Sequence, residues 1–283
     1  MRINTNIASM QAQESAAQTN KTLGSSLEKL SSGLRINKAS DDASGLSIAD
    51  KLRTQASSIG QSISNGNSAI ALTQIADKAM GEQSNILDII KTKMIQAATA
   101  TTSTEGVNAI EKDVNKLLDQ LNNIASQTNY NGTTLLQKGA SDTGSSVKLN
   151  FQMGETANDV ISISSGVMAN SSGLGLTALK TAASGGSLTA GGAQGFLTTI
   201  DSALDKLNGW RADFGSTQNQ LESAVRNQMT QQTNIKSAES IIRDVDYAQE
   251  SANFSKQNII AQAGTYAMSQ SNAMQQNVMR LLQ

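Results

Sequence analysis

The sequence predicts a mainly α protein. Long antiparallel helices form a terminal coiled coil and a helical rod domain that carries a small β-hairpin element. Three observations predict this. There is no proline among 283 residues, where about 14 would be expected at the usual frequency of ~5%. Proline deletes a backbone donor and clashes with the preceding helical turn, at ~3 kcal/mol in a helix interior, so a chain without it can build uninterrupted helices. Apolar residues also recur at helical spacing from almost Met1 to Gln283. Termini are ordinarily the frayed part of a domain, so patterned ends are expected to pack against each other or against other chains. Finally, the apolar fraction is 38% and the aromatic fraction 3%. Leu, Ile, Val, Ala and Met then supply most apolar surface, which suits thin helical seams better than a thick core.

Taken in order, Leu23, Leu27, Leu30 and Leu34 recur at spacings of four and three, the pattern of a coiled-coil seam, until Ser31-Ser-Gly33 interrupts it. Residues 38–45 are small, polar and acidic and read as a connector. A second helix starts near Leu46 and runs to about Thr99. Ile48, Leu52, Ala56, Ile59 and Ile63 line one face, extended by Ile70, Met80, Leu87, Ile90 and Met94. At 1.5 Å per residue this is a rod of roughly 80 Å, with Gly60, Gly66 and Gly81 as local weak points. Residues 100–104 form a turn, and Thr102 with Glu105 form a candidate capping box. Val107, Ile110, Val114, Leu117, Leu121 and Ile124 mark a third helix, which ends before Asn131-Gly132. The turn is short, so the second and third helices are expected to be antiparallel neighbours.

From Thr133 to Gly195 the composition shifts to Gly, Ser, Thr and Ala. Residues 147–153 and 160–163 alternate at period two around a turn-like 154–159, which predicts a β-hairpin. Residues 181–194 read as a loop. Leu197, Ile200, Leu204, Leu207, Phe214, Leu221 and Val225 mark another long helix. Ile235, Ala238, Ile241, Val245, Ala248, Ala252, Ile259, Val278 and Leu281 continue the pattern to the end. Two terminal helices must therefore meet across the whole sequence.

Composition excludes several functions. Cysteine and histidine are both absent. That removes disulfides, thiolate catalysis, cysteine zinc sites, the Ser-His-Asp triad and the His-Glu-x-x-His metalloprotease motif. Net charge is −1 and the cations are scattered, so no basic footprint for nucleic acid is present. No stretch approaches ~18 consecutive apolar residues, and no membrane span is expected. The first ten residues lack the apolar core of a cleavable secretory signal.

Short motifs then carry a family resemblance. Arg2-Ile-Asn-Thr-Asn6, Leu30-Ser-Ser-Gly-Leu-Arg-Ile-Asn37, Asp41-Asp-Ala-Ser-Gly-Leu-Ser-Ile-Ala49, Ile63-Ser-Asn-Gly66 and Asn129-Tyr-Asn-Gly132 resemble the N-terminal region of bacterial flagellins. Arg211-Ala-Asp-Phe-Gly215, Asn219-Gln-Leu-Glu-Ser223, Asp244-Val-Asp-Tyr-Ala248, Gln262-Ala-Gly264 and Gln276-Asn-Val278 to Leu282 resemble the C-terminal region. The resemblance covers roughly residues 1–137 and 195–283.

It implies an exported, self-polymerising subunit of the extracellular flagellar filament. The inner terminal coiled-coil domain would be residues 1–38 with 240–283. The outer-tube helical domain would be residues 39–239, with 140–194 as a β-hairpin and Gly/Ser-rich surface segment. Assembly residues on the terminal helices would be Ile3, Leu23, Leu27, Leu30, Leu34, Val245, Ile259, Val278, Leu281 and Leu282, and connector residues Arg35, Asp41 and Asp42. Implied partners are further copies of the chain, filament cap and hook–filament junction proteins, an export chaperone and the export apparatus. No cofactor, nucleic acid or membrane is implied. A hook–filament junction protein shares similar ends and is the nearest alternative. An exported enzyme on flagellin-like ends and a cytosolic coiled-coil scaffold are more distant ones.

The resemblance also breaks informatively. Many flagellins carry Leu-Gln-Arg-Val-Arg-Glu-Leu-Ala-Val-Gln, a segment bound by the animal Toll-like receptor for flagellin. Here Leu87 to Gln96 reads Leu-Asp-Ile-Ile-Lys-Thr-Lys-Met-Ile-Gln, with Ile89 for the first arginine and Lys93 for the second leucine. Weak receptor engagement is the expectation, set against the alternative that these changes only suit local contacts between subunits. Gln275 stands where many flagellins have a proline. Some flagellins carry O-linked sugars, which makes Ser141, Ser145, Ser146, Ser184 and Ser187 candidates for O-glycosylation.

Remaining signals have plainer readings. The four leucines would serve an ordinary two-helix core as well as a filament seam. Asp41 with Asp42, and Asp244 with Asp246, lack a third ligand and read as loop or helix-cap residues. Gly173-Leu-Gly175-Leu-Thr-Ala178 fits a dinucleotide pattern but lacks a βαβ setting. Asn131-Gly-Thr133 and Asn170-Ser-Ser172 are chance sequon matches.

Overall fold

The computed structural model describes residues 6–137 and 147–281. Among them the helices are α1 (Ile7–Ser32), α2 (Ala43–Ala98), α3 (Thr104–Gln127), α4 (Thr177–Gly185), α5 (Ala190–Arg243) and α6 (Tyr247–Leu281). The strands are β1 (Asn129–Tyr130), β2 (Thr133–Thr134), β3 (Val147–Gln152) and β4 (Val160–Val167). The chain divides into two compact units, Met1–Ala56 with Thr233–Gln283 and Ser57–Gln232.

The Ser57–Gln232 unit holds the hydrophobic core. On α2, Leu72, Ala76, Met80, Leu87, Ile90, Met94 and Ala97 are buried, a 3–4 stripe that α-helical geometry brings onto one face. Ile110, Val114, Leu118, Leu121 and Ala125 of α3 and Ala193, Ile200, Ala203, Leu207 and Phe214 of α5 fill the same core. Side-chain pairs fix the directions. Gln83 Nε2 donates to the carbonyl of Leu121 at 3.1 Å, and Lys93 meets Asp113 at 3.1 Å. Residue numbers thus fall on α3 as they rise on α2, and the two are antiparallel. Asp77–Arg211 at 3.0 Å and Lys91–Asp201 at 2.6 Å set α5 antiparallel to α2 in the same way.

Gly66 does not weaken α2. A Cβ there would stand 2.5 Å from Val225 Cγ2 and 2.8 Å from Met153 Cε. Glycine is what lets α5 and the hairpin approach this turn of the helix. Next to it Ala69, Met153, Ile161, Leu221 and Val225 form a second buried cluster.

β3 and β4 pair antiparallel, with Leu149 opposite Ile163 and Phe151 opposite Ile161. Asp159 shapes their turn by accepting from the backbone N–H of Thr156 at 3.0 Å and its hydroxyl at 2.7 Å. These donors, the hydroxyl first, hold the Asp159 carboxyl below its ordinary pKa. A smaller hairpin, β1–β2, turns through Asn131 (φ 50°) and Gly132 (φ 81°). Asn-Gly tolerates two successive left-handed residues, as such a turn requires.

Four local expectations need correction. Ser103, not Thr102, caps α3: its hydroxyl accepts from Gly106 N–H at 3.2 Å. The Thr102 hydroxyl instead donates to the carbonyl of Gln96 at 2.7 Å. Residues 181–194 are not a loop, because α4 runs through Gly185 and α5 begins at Ala190. Leu179, Ala183 and Leu188 are buried there, and this burial overrides the weak propensity of a Gly/Ser-rich segment. Leu34 lies beyond the end of α1. Ile48 is 49% exposed, and the buried face of α2 instead begins at Gly45 and Ala49.

Candidate self-assembly surface

In the Met1–Ala56 with Thr233–Gln283 unit, two connectors meet. α1 ends at Gly33, whose φ of 73° places it in the left-handed region favoured by glycine, and its N–H donates to the carbonyl of Lys29. Any Cβ there would also stand 2.8 Å from the Tyr247 hydroxyl. The following residue bridges antiparallel to Asp244, between α5 and α6. Arg35 N–H donates to Arg243 O at 2.7 Å, and Val245 N–H donates to Gly33 O at 3.0 Å. The Arg35 guanidinium donates to Ile242 O at 2.6 Å. Leu34, Arg35 and Val245, singled out in the sequence, thus stitch the two connectors together.

The acidic connector residues bind backbone N–H groups, Asp41 within the connector and Asp42 and Asp246 at helix starts. Asp41 Oδ2 accepts from Asn37 N–H at 3.1 Å and Lys38 N–H at 3.0 Å. These two donors hold its carboxyl below the ordinary aspartate pKa. Asp42 Oδ1 accepts from Gly45 N–H at 2.9 Å in the first turn of α2, and Asp246 Oδ1 accepts from Ala248 and Gln249 N–H at the start of α6. Lys38 pairs with Glu28 at 2.5 Å, and that hydrogen bond and charge raise its pKa.

Beyond the connectors, α1 and α6 pack antiparallel. Asn6 Nδ2 donates to Ser271 O at 3.5 Å, and the Ser26 hydroxyl donates to the Glu250 carboxylate. Among the less exposed positions of α1, Ser9, Ala12, Ala16, Thr19, Leu23, Ser26 and Leu30 step by three and four, with Ser25 and Lys29 flanking the last turns. Those of α6 step likewise: Glu250, Phe254, Gln257, Ala261, Gly264, Met268 and Ser271. This inner stripe is mostly small or polar. Small residues let the helices approach, but they remove little apolar area from water.

Leu23, Leu30, Phe254 and Met268 lie in this stripe, but several other large apolar side chains point outward. Ile7 is 63% exposed, Met10 61%, Leu27 56%, Ile259 66%, Tyr266 75% and Met274 62%. Ser26 is the sole buried residue of α1, and α6 has none among its described side chains. Leu27 therefore leaves the expected leucine seam, while Leu23 and Leu30 stay half-buried in it. Val278 and Leu281 belong to α6, whereas Ile3 and Leu282 lie outside the described residues. Sequence reading passed over Ile7, Met10, Tyr266 and Met274. The signal was their position off the 3–4 stripe, legible only once the stripe is recognised as small and polar.

The remaining predicted residues belong to the other unit. Leu87 is buried in the core, Ile89 is 47% exposed, Gln96 is exposed, and Lys93 is tied to Asp113 across α2 and α3. Ser184 and Ser187 are exposed; Ser141, Ser145 and Ser146 lie outside the described residues. Asn170 of the sequon match is buried, with its side chain bonded to Gln137 and to Gly173 N–H. Gly173 is dictated by packing, since a Cβ would stand 1.9 Å from Met168 O. Among the described residues no group of acidic side chains could hold a metal ion.

Residues 3–143 match the family model for the bacterial flagellin N-terminal helical region, and residues 197–282 match that for the C-terminal helical region. The flagellin of Bacillus subtilis is 33% identical over 309 aligned residues that cover 100% of both chains. The flagellar filament 33 kDa core protein of Treponema phagedenis is 33% identical over 286, again 100% of both. Flagellin B of Helicobacter pylori is 44% identical over 209 residues, 74% of this chain and 39% of that protein. The chain thus spans well under half the length of that relative.

Proposed function

Because the chain belongs to the bacterial flagellin family, a family of structural filament proteins, we propose that it is a structural subunit that is exported and polymerises into the flagellar filament. The single observation that carries this reading is the inverted patterning of the terminal helices. They pair mostly through small and polar residues and present Ile7, Met10, Leu27, Ile259, Tyr266 and Met274 to the outside. Such a pair buries too little to offset an ordering cost of ~1–2 kcal/mol per residue by itself. Copies packed side by side in a tube would cover those side chains. In this reading residues 1–38 with 240–283 form the inner layer and residues 39–239 the outer tube.

The role is mechanical rather than catalytic. Interlocked terminal helices would carry torque, and small shifts between neighbouring outer domains would set filament curvature. A chain without disulfides or prolyl isomerisation also suits threading through an export channel and rapid refolding outside. Filament cap and junction proteins, an export chaperone and the export apparatus complete the proposed partners. A host Toll-like receptor is a weak one.

Seeded polymerisation tests the proposal. Purified protein, mixed with short filament fragments or a precipitating salt, is expected to give long uniform tubes by negative-stain electron microscopy. Deleting residues 1–35 or 245–283 should abolish them. Monomers or short stubs under every condition would overturn it and favour a junction protein or scaffold.

A further inference from the structure

We propose that Met10 and Met274 are an oxidation-sensitive site at which conversion to the sulfoxide blocks subunit addition. This rests on the filament reading of the terminal helices. Among the described residues the methionines stand in different environments, with Met168 and Met268 half-buried. Met80 and Met94 are 0% exposed and Met153 5%, all within the core of the Ser57–Gln232 unit. Met10 is 61% exposed and Met274 62%, and both stand on the outward faces of the paired terminal helices. They also lie near the same end of that pair, because Asn6 of α1 meets Ser271 of α6. Met229, 54% exposed on α5, belongs to the other unit and serves as an internal reference.

Exposure governs the reaction. A sulfur lone pair attacks one oxygen of hydrogen peroxide, and the S–O bond forms as the O–O bond breaks. The hydroxide released takes up the remaining proton as water; sulfur is oxidised and peroxide reduced. The product replaces a flexible apolar thioether with a polar, chiral sulfoxide. On a free subunit the sulfoxide stays in water at little cost. In a contact between copies it must be desolvated without a matched donor, which is unfavourable. The buried core methionines are shielded, so oxidation should leave the Ser57–Gln232 unit folded while disabling the terminal faces. Once assembled, the same two side chains are covered. The window of sensitivity is therefore the unpolymerised subunit; a dithiol-dependent methionine sulfoxide reductase would restore it, two thiols becoming a disulfide as the sulfoxide oxygen leaves as water.

The experiment treats full-length monomer with hydrogen peroxide, removes it, maps sulfoxides by peptide mass spectrometry and measures elongation from untreated seeds. Untreated wild-type is run alongside. The expected result is sulfoxide at Met10 and Met274 before Met80 or Met94, and elongation slowed at least about tenfold. The double variant Met10→Leu/Met274→Leu, oxidised identically, should elongate at close to its untreated rate. Preformed filaments should resist oxidation at both positions while Met229 still reacts. Undiminished elongation by oxidised wild-type, equal inhibition of the leucine variant, or equal reactivity of both positions in filament and monomer would each overturn the proposal. Failure of untreated wild-type to elongate would instead overturn the filament reading beneath it.

Discussion

Leu27 probes the proposed assembly face. It is 56% exposed on α1, while its neighbours in the leucine series, Leu23 and Leu30, are half-buried against α6. Full burial of a leucine side chain is worth ~1.5–3 kcal/mol. Roughly half of that remains to be gained when another copy covers it, about 0.8–1.5 kcal/mol per subunit. Leu27→Ala should then raise the critical concentration for polymerisation by about four- to thirteenfold. Because the rest of Leu27 is already covered within the chain, monomer stability should fall by up to about 1 kcal/mol, with the monomer still folded. The assay is sedimentation of seeded polymer at fixed salt across a range of protein concentrations, with thermal unfolding of the monomer followed by circular dichroism. Leu23→Ala is the contrast, expected to disturb the α1–α6 pair itself. A critical concentration within about twofold of wild-type, with the monomer intact, would refute the argument that this face is the contact.

Four further outcomes are expected. Gly66→Ala gains up to ~1 kcal/mol of helix propensity but overpacks Val225 and Met153 by ~1–3 kcal/mol; a net loss near 1 kcal/mol should lower the melting temperature by about 2–4 °C, and the loss should vanish in a Val225→Ala background. Asp41 titrates below the ordinary aspartate range, so its contribution to the connector is complete above that range and lost only as pH falls through the lowered value; the Asn37 and Lys38 amide shifts should follow that titration by NMR and cease to do so in Asp41→Asn. Amides of residues 6–32 and 247–277 are expected to exchange fast in the monomer and slowly in the filament, and strong protection in the monomer would contradict coupled folding and assembly. Purified monomer should activate the flagellin-recognising Toll-like receptor weakly, and signalling equal to that of arginine-bearing flagellins would remove the role assigned to Ile89 and Lys93.

The sequence by itself determined the helical class, the order of the long helices, the β3–β4 hairpin and the family. Those signals are local or periodic. Absent proline, 3–4 spacing in 72–97 and 110–125, period-two alternation in 147–153 and a chain of short motifs can all be read without knowing what lies opposite. Acidic caps such as Asp42 and Asp246 were legible for the same reason, because a cap is satisfied within three residues.

The tertiary structure decided what depended on a distant partner. Only Val225 and Met153 explain why Gly66 sits inside an unbroken helix, and only burial of Leu179, Ala183 and Leu188 makes α4 out of a loop-like segment. The same holds for the surface. Leu23 and Leu27 are equivalent in a list of spacings, yet α6 packs beside the first and leaves the second outside. A heptad records how often apolar residues recur; which of its faces is covered depends on the residues of the opposing helix, here more than 200 positions away, as in the Ser26–Glu250 pair with its separation of 224.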